Sequence, residues 1–401
     1  MTEKERAVHT RRISGIFQRL ETDAVTKIAK HIGKVGKVTV TDTHRLRELS
    51  RIGRDVEEIE RSIAEAAGIA QEEVSAYMRK AAEQEYNDLQ DAAKKSGGKT
   101  VPFRENDDAQ TLLDAAIASI NVNIKSLSGL SASLSGTTGF KDANGVFTPL
   151  SNYYQNTVDY AVMQVRTGQA DFYSAMRGSL RAMADHGLQT NADGERRVSY
   201  NNADKRAYSR RLDSSVRNAV SGGLQRLGQQ YAQLLGESFG ADGMEISWHP
   251  GARPSHVDFA GQQYNMKEYE EICVPLLNDY NCMHHAFPIL LGISSPSIPA
   301  DELERLNAKD AEEQEFEGRG YNAYEARQMQ RRMETAIRKQ KDRAMAFKAS
   351  GDKKAERTAK AKATALNQKY RQFSQAMGIK PASVRASVSG YTRGGSVKKS
   401  T

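Results

Sequence analysis

With 401 residues, 38% of them hydrophobic and 27% charged, the chain has apolar surface for buried cores and exceeds the roughly 250–300 residues one core serves, which excludes wholesale disorder and a single small globule. Two cysteines, Cys273 and Cys282, exclude a disulfide framework; no segment approaches the ~18 apolar residues of a membrane span, and no apolar run follows the basic N-terminus, so synthesis in a cytoplasm without secretion is expected. The net charge of +8 hides a split: residues 319–401 hold 21 Lys and Arg against 5 Asp and Glu, a net of +16, while the first 318 residues hold 37 basic against 45 acidic groups, a net of −8.

Short helices are expected across the first 95 residues. Phe17, Leu20, Val25, Ile28 and Ile32 step at helical intervals up to Gly33 and Gly36; Leu46, Leu49 and Ile52 do so up to Gly53; Val56, Ile59 and Ile63 up to Gly68; Val74, Tyr77 and Met78 open another stripe. SGGKT, residues 96–100, ends like a phosphate-cradling loop, but its first glycine position holds Ala93 in a helical stretch with no strand before it, so a turn is expected. Residues 109–130 read as helix, and the Gly, Ser and Thr-rich stretch 128–150 as a loop or hairpin closing an N-terminal helical region 1–150.

A second helical region, 151–239, carries Tyr160, Val162 and Val165. It ends in a long amphipathic helix marked by Leu212, Val216, Val220, Leu224, Leu227, Tyr231 and Leu234, with Gly222 and Gly223 as candidate bend points. Then the texture changes. Over residues 240–297, EISWH is strand-like and holds the only tryptophan, Trp248; ICVPLL is a second strand candidate; YNCMHHAFP concentrates reactive side chains before Pro288. A small α+β module is expected there.

Three chemistries compete for this module. Cys282 and His285 have a C-x2-H spacing that zinc accepts, with His284 as the adjacent alternative, and His249 and His256 would complete four N and S ligands, though H-x6-H is a loose pair. Cys282 as thiolate with a histidine base, or His256 with Asp258 around a divalent ion in a nuclease, would make an active site. The plainest reading is packing: the thiol as a small hydrophobe, the imidazoles hydrogen-bonded to loop and strand backbone. No G-x-S-x-G or H-E-x-x-H occurs to strengthen the catalytic reading.

Residues 298–318 read as an acidic linker, with eight carboxylates against two basic groups from Asp301 to Glu317. The sign then reverses. Met329, Met333, Ile337, Ala344 and Phe347 mark one helix from Ala323 to Ala349, SGDKK a turn, and Leu366, Tyr370, Phe373 and Met377 a second helix ending at Gly378, before a tail. This basic helical hairpin, 319–401, suits nucleic acid or an acidic protein surface, a solvated helical face being the plainer reading. Its candidate phosphate contacts are Arg331, Arg332, Arg338, Lys339, Lys341, Arg343, Lys353, Lys354, Arg357, Lys360 and Lys362.

The run from Ser199 to Tyr264, then YNCMHHAFPILLGIS, then the run from Tyr321 to Ile379 together resemble the phage minor capsid protein 2 family, minor head proteins of tailed phages and prophages of Gram-positive bacteria. The order RPSH, G-Q and N-C-x-H is also similar to the wider Mu-type head morphogenesis proteins. Met283 stands where the family commonly has arginine, so no positive charge is carried over there. The resemblance implies a virion component present in few copies inside the head near the portal vertex, with no established catalysis. Implied partners are the portal protein, the major capsid or scaffolding protein and packaged double-stranded DNA. His249, Arg253, His256, Gly261, Cys282 and His284 fall on the family motif, which favours His284 over His285 among metal ligands. A structural zinc is the one cofactor in view. The expected fold is an elongated, mainly α-helical α+β protein with one small α+β module and a basic C-terminal hairpin.

Overall fold

The computed structural model describes residues 3–35, 42–95, 101–127, 138–142, 144–167, 169–190, 212–278, 282–382 and 385–391. The SGGKT segment, Tyr280, Asn281 and the tail beyond 391 lie outside the described residues.

Where several short helices were expected, two long ones form: α1 (Glu3–Val35) and α2 (Asp42–Lys95). A glycine inside a helix costs only about 1 kcal/mol relative to alanine, and the buried stripes outweigh that. Ile13, Phe17, Leu20, Ala24, Ile28 and Ile32 line α1, while Ile63, Ala67, Ala70, Val74, Met78 and Ala81 line α2. Gly33 is no breaker but a contact point, since a Cβ there would collide with the Ser350 backbone.

α3 (Asp107–Leu127), α4 (Leu150–Arg166), α5 (Phe172–His186) and α6 (Leu212–Ser238) add to the same core. α6 runs unbroken through Gly222 and Gly223, and a side chain at Gly223 would clash with Ile120 of α3, so the glycine admits a close helix pair. Among α2, α3 and α6 the rings of Tyr86, Phe103 and Tyr231 pack at centroid distances of 5.3–6.1 Å. Of the Gly-rich stretch before α4, residues 128–137 lie outside the described residues; the described part is a hairpin of β1 (Thr138–Lys141) and β2 (Phe147–Pro149), with β3 (Gln189–Thr190) on the other side of β1. Asp142 turns the chain there by accepting the amides of Asn144 and Val146 at 2.9 and 2.8 Å.

The module forms as an antiparallel sheet with β4 (Gly243–Ile246) between β5 (Gln263–Asn265) and β6 (Ala286–Ile289). Pro288, without an amide to give, sits on an outer strand, where that loss is tolerated. It touches α6, whose Gly236 would bring a Cβ within 2.7 Å of the Pro288 Cβ. EISWH is strand only through Ile246. ICVPLL is not a strand: residues 266–277 form one helical run whose middle, Tyr269–Cys273, has π geometry. Asn265 and Glu268 start it with a reciprocal capping box, and Tyr269, Cys273 and Leu277, four apart, bury one face. A short apolar run with β-branched residues does not by itself separate strand from helix.

The acidic stretch is folded: α7 (Ala300–Ala311) precedes a hairpin of β7 (Gln314–Phe316) and β8 (Arg319–Tyr321), turned by Glu317 and Gly318 at φ 52° and 76°. α8 (Ala323–Ser350) starts on an Asn322–Glu325 capping box and ends at left-handed Gly351; Asp352 caps α9 (Lys353–Ala376). The expected hairpin is therefore present, and it lies on the body, with α8 packed against α9, α1 and α5. Arg177 holds Asp352 at 2.6 Å, Arg343 grips Asp185 with both nitrogens, and Gln18 donates to the Ser387 carbonyl at 3.2 Å.

Candidate functional site

The chain brings His249, His256, Cys282 and His284 together at one end of the module. β4 and β6 set this up. Beyond Ile246, the Ser247 amide donates to the His285 carbonyl at 2.8 Å, so the strands stay paired while their side chains turn toward the loop 247–261. Ser247 then holds the opposite strand twice more: its hydroxyl oxygen accepts the His285 amide at 2.8 Å, and its carbonyl accepts Nδ1–H of His284 at 2.7 Å. That bond fixes the His284 tautomer. The loop closes at Gly261, whose φ of +76° suits glycine and whose amide donates to the Ile246 carbonyl at 2.8 Å. A Cβ there would approach within 2.7 Å of Leu303 on α7. Trp248 ties the same loop to α7 by donating from Nε1 to Asn307 at 2.8 Å.

Inside this frame the His249 and His284 rings stack at 4.2 Å, His256 lies 5.5 Å from His284, and Phe259 packs edge-on against both His256 and His284. The Cys282 thiol contacts Nδ1 of His256 at 3.7 Å. His256 and His284 are each 1% exposed. Burial holds the His284 imidazole down to about 4, with His249, His256 and His285 adding smaller repulsions against the raising effect of the Ser247 carbonyl, so the ring is neutral at pH 7. Its Nε2 is buried without a hydrogen-bond partner. The second cysteine, Cys273, sits in the module core with its thiol pushed up to about 12 by burial, which keeps it protonated.

The four expected ligands are thus neighbours, and the ring that joins His249 and His256 belongs to His284, not His285. Among the described residues, however, no three His, Cys, Asp or Glu side chains are placed to hold a metal ion. Stacked imidazoles present faces to each other, and the Nδ1 of His284 is committed to a carbonyl. As placed, these side chains form a packed aromatic cluster.

Against the cluster lies an open cleft enclosing about 430 Å³, partly open solvent. Its inner wall carries His249, His256 and Cys282, and its outer wall carries Tyr324, Arg327 and Arg331 of α8. Arg253, which precedes the short 3-10 turn Pro254–His256, also lines it. The motif residue Arg253 and the hairpin residue Arg331 therefore meet, although the sequence reading placed them in separate regions. Arg327 and Tyr324 were not singled out. Their only sequence signal is the spacing of 324, 327 and 331 along one helix face.

The remaining candidate phosphate contacts divide. Arg332, Lys353, Lys354, Arg357 and Lys362 are exposed, while Arg338 and Lys339 are half-buried. Lys341 donates to the Ala386 carbonyl at 2.6 Å, Lys360 pairs with Glu356 at 2.6 Å, and Arg343 is held by Asp185. Comparison with family models matches residues 3–375 to phage minor capsid protein 2. No curated protein and no solved structure matches the chain.

Proposed function

Because the chain belongs to the phage minor capsid protein 2 family, we propose that it works inside the phage head near the portal vertex. There it docks on the portal protein and on the major capsid or scaffolding protein, while its basic hairpin lies against packaged double-stranded DNA. A structural role in the virion head follows from the family itself. Among the described residues, no helix is long and apolar enough to cross a membrane.

The observation that carries the DNA reading is a set of exposed cations on α8 and α9 that includes Arg332, Lys353, Lys354, Arg357 and Lys362. Such side chains meet phosphates without reading base sequence, and each neutralised phosphate releases counterions. Full-length protein is expected to bind duplexes of unrelated sequence equally, with affinity falling steeply as salt rises. Changing those five residues to Gln is expected to flatten the plot of log affinity against log salt by up to about 4 units of slope. An unchanged slope, or no binding at low salt, would reject DNA contact and leave the hairpin as a protein-docking surface, which cross-linking to portal protein would then reveal. Particles assembled without the gene product are expected to fail in packaging or infection; normal titres would remove the head role near the portal.

A further inference from the structure

We propose that the cleft between the loop 249–256 and the first turns of α8 is a binding site for a single phosphate-type oxyanion. Three arginines line it, Arg253 from the loop and Arg327 and Arg331 from one helix face, with His249 and Tyr324 beside them. Among the described residues no Asp or Glu lines it. Two nearby carboxylates also accept hydrogen bonds from other groups: Asp310 takes the Gly251 amide, and Glu334 accepts the Tyr370 hydroxyl at 2.9 Å.

Convergent arginines are expensive to hold together in a half-buried place. Arg331 feels this directly, since burial and the charges of Arg385, Arg327 and Arg253 all disfavour its charged form, with Glu334 acting the other way. Guanidinium groups nevertheless stay protonated, so the crowding is relieved by a counter-anion rather than by proton loss. A tetrahedral oxyanion suits the planar fork of arginine, which can meet it with paired N–H bonds. The cleft is also built for access. Gly251 lines it at φ +70°, and a Cβ there would fall 2.6 Å from the Arg327 side chain.

The same chemistry could reach the cleft as free phosphate or as a backbone phosphodiester of nucleic acid. The test therefore uses inorganic phosphate first. Thermal unfolding of the full chain is followed while phosphate replaces chloride at constant ionic strength, with calorimetric titration alongside. A saturable rise in melting temperature is expected for the native protein. Arg327→Gln and Arg331→Gln are each expected to weaken phosphate binding by tenfold or more, whereas Arg181→Gln, exposed on α5, keeps the response. Because Arg331→Gln removes one of the crowded charges, it should be no less stable than the native protein in chloride; if it does not fold, Arg327→Gln carries the test alone. A response equal in chloride, or one retained by both cleft variants, overturns the proposal.

A DNA arm separates the two sources. If phosphate at constant ionic strength competes with a short duplex, and Arg327→Gln abolishes the competition, the occupant is a phosphodiester. If duplex binding is indifferent to phosphate that demonstrably binds, the occupant is the free ion. Either result stands even if the exposed hairpin cations prove irrelevant to DNA, so the two proposals fail separately.

Discussion

In the helical body, apolar stripes at three- and four-residue spacing from six or more helices close one large core, whereas the module at 243–289 is fixed by a small number of polar bonds around a modest one. Ser247 alone makes three of those bonds. Glu245, buried in the central strand, makes two more, accepting from Gln263 at 2.9 Å and from the Ser297 amide at 3.0 Å. Apolar burial is non-directional and shared over many residues, so the body can absorb small losses. Buried polar bonds are directional, and each lost partner leaves an unsatisfied group. The contrast teaches where the molecule is robust and where a single atom decides its shape.

The largest expected effect tests whether the body is one unit. Tyr231→Ala empties the centre of the Tyr86, Phe103 and Tyr231 cluster, and a loss of about 3–5 kcal/mol in urea unfolding is expected. Amide protection across β4 should fall much less. A loss below about 1 kcal/mol would mean that the core does not act as a whole.

The next effect belongs to the module and depends on pH. His284 has its folded value lowered to about 4 from an ordinary 6.5, so between those values the unfolded form binds more protons than the folded one. Its stabilising contribution is therefore complete above pH 6.5 and lost as pH falls toward 4, at most about 3 kcal/mol. Native-state hydrogen exchange of the β4 amides, corrected for intrinsic rates, would show this slope. His284→Asn keeps a donor for the Ser247 carbonyl and should level the profile; a slope surviving in that variant would assign the effect to another group.

The smallest effect is at the seam. Trp248→Phe removes one hydrogen bond to Asn307 and is expected to cost about 1 kcal/mol, seen as faster exchange confined to α7. Faster exchange throughout the body instead would erase the distinction between the two regions.

Much of the body was legible in the sequence because a buried helix face repeats: the stripes of α6, α8 and α9 mark helices that the structure forms in nearly the same places. The glycines misled, since Gly33 and Gly223 serve close approach between helices, and a one-dimensional pattern does not distinguish a breaker from a contact. ICVPLL misled because strand and short buried helix share composition. At the candidate site, the nearness of His249, His256 and Cys282 could be anticipated from the spacing of these residue types, while the preference for His284 over His285 comes from the family resemblance. The arginine cleft could not, because Arg253 and Arg331 are joined only when α8 docks beside the loop.

The docking of α8 and the segment after it on the first helix also constrains how the chain is made. Gln18 finds its partner carbonyl at Ser387, 369 residues later. At roughly 5–20 residues per second on the ribosome, α1 waits on the order of 20–70 s for that partner. During that interval the faces of α1 that later meet α8 and Ser387 are uncovered. Contacts this distant in sequence slow folding and lengthen exposure to wrong partners. Final closure is therefore set by the arrival of the last helices, so a half-made chain cannot complete the fold.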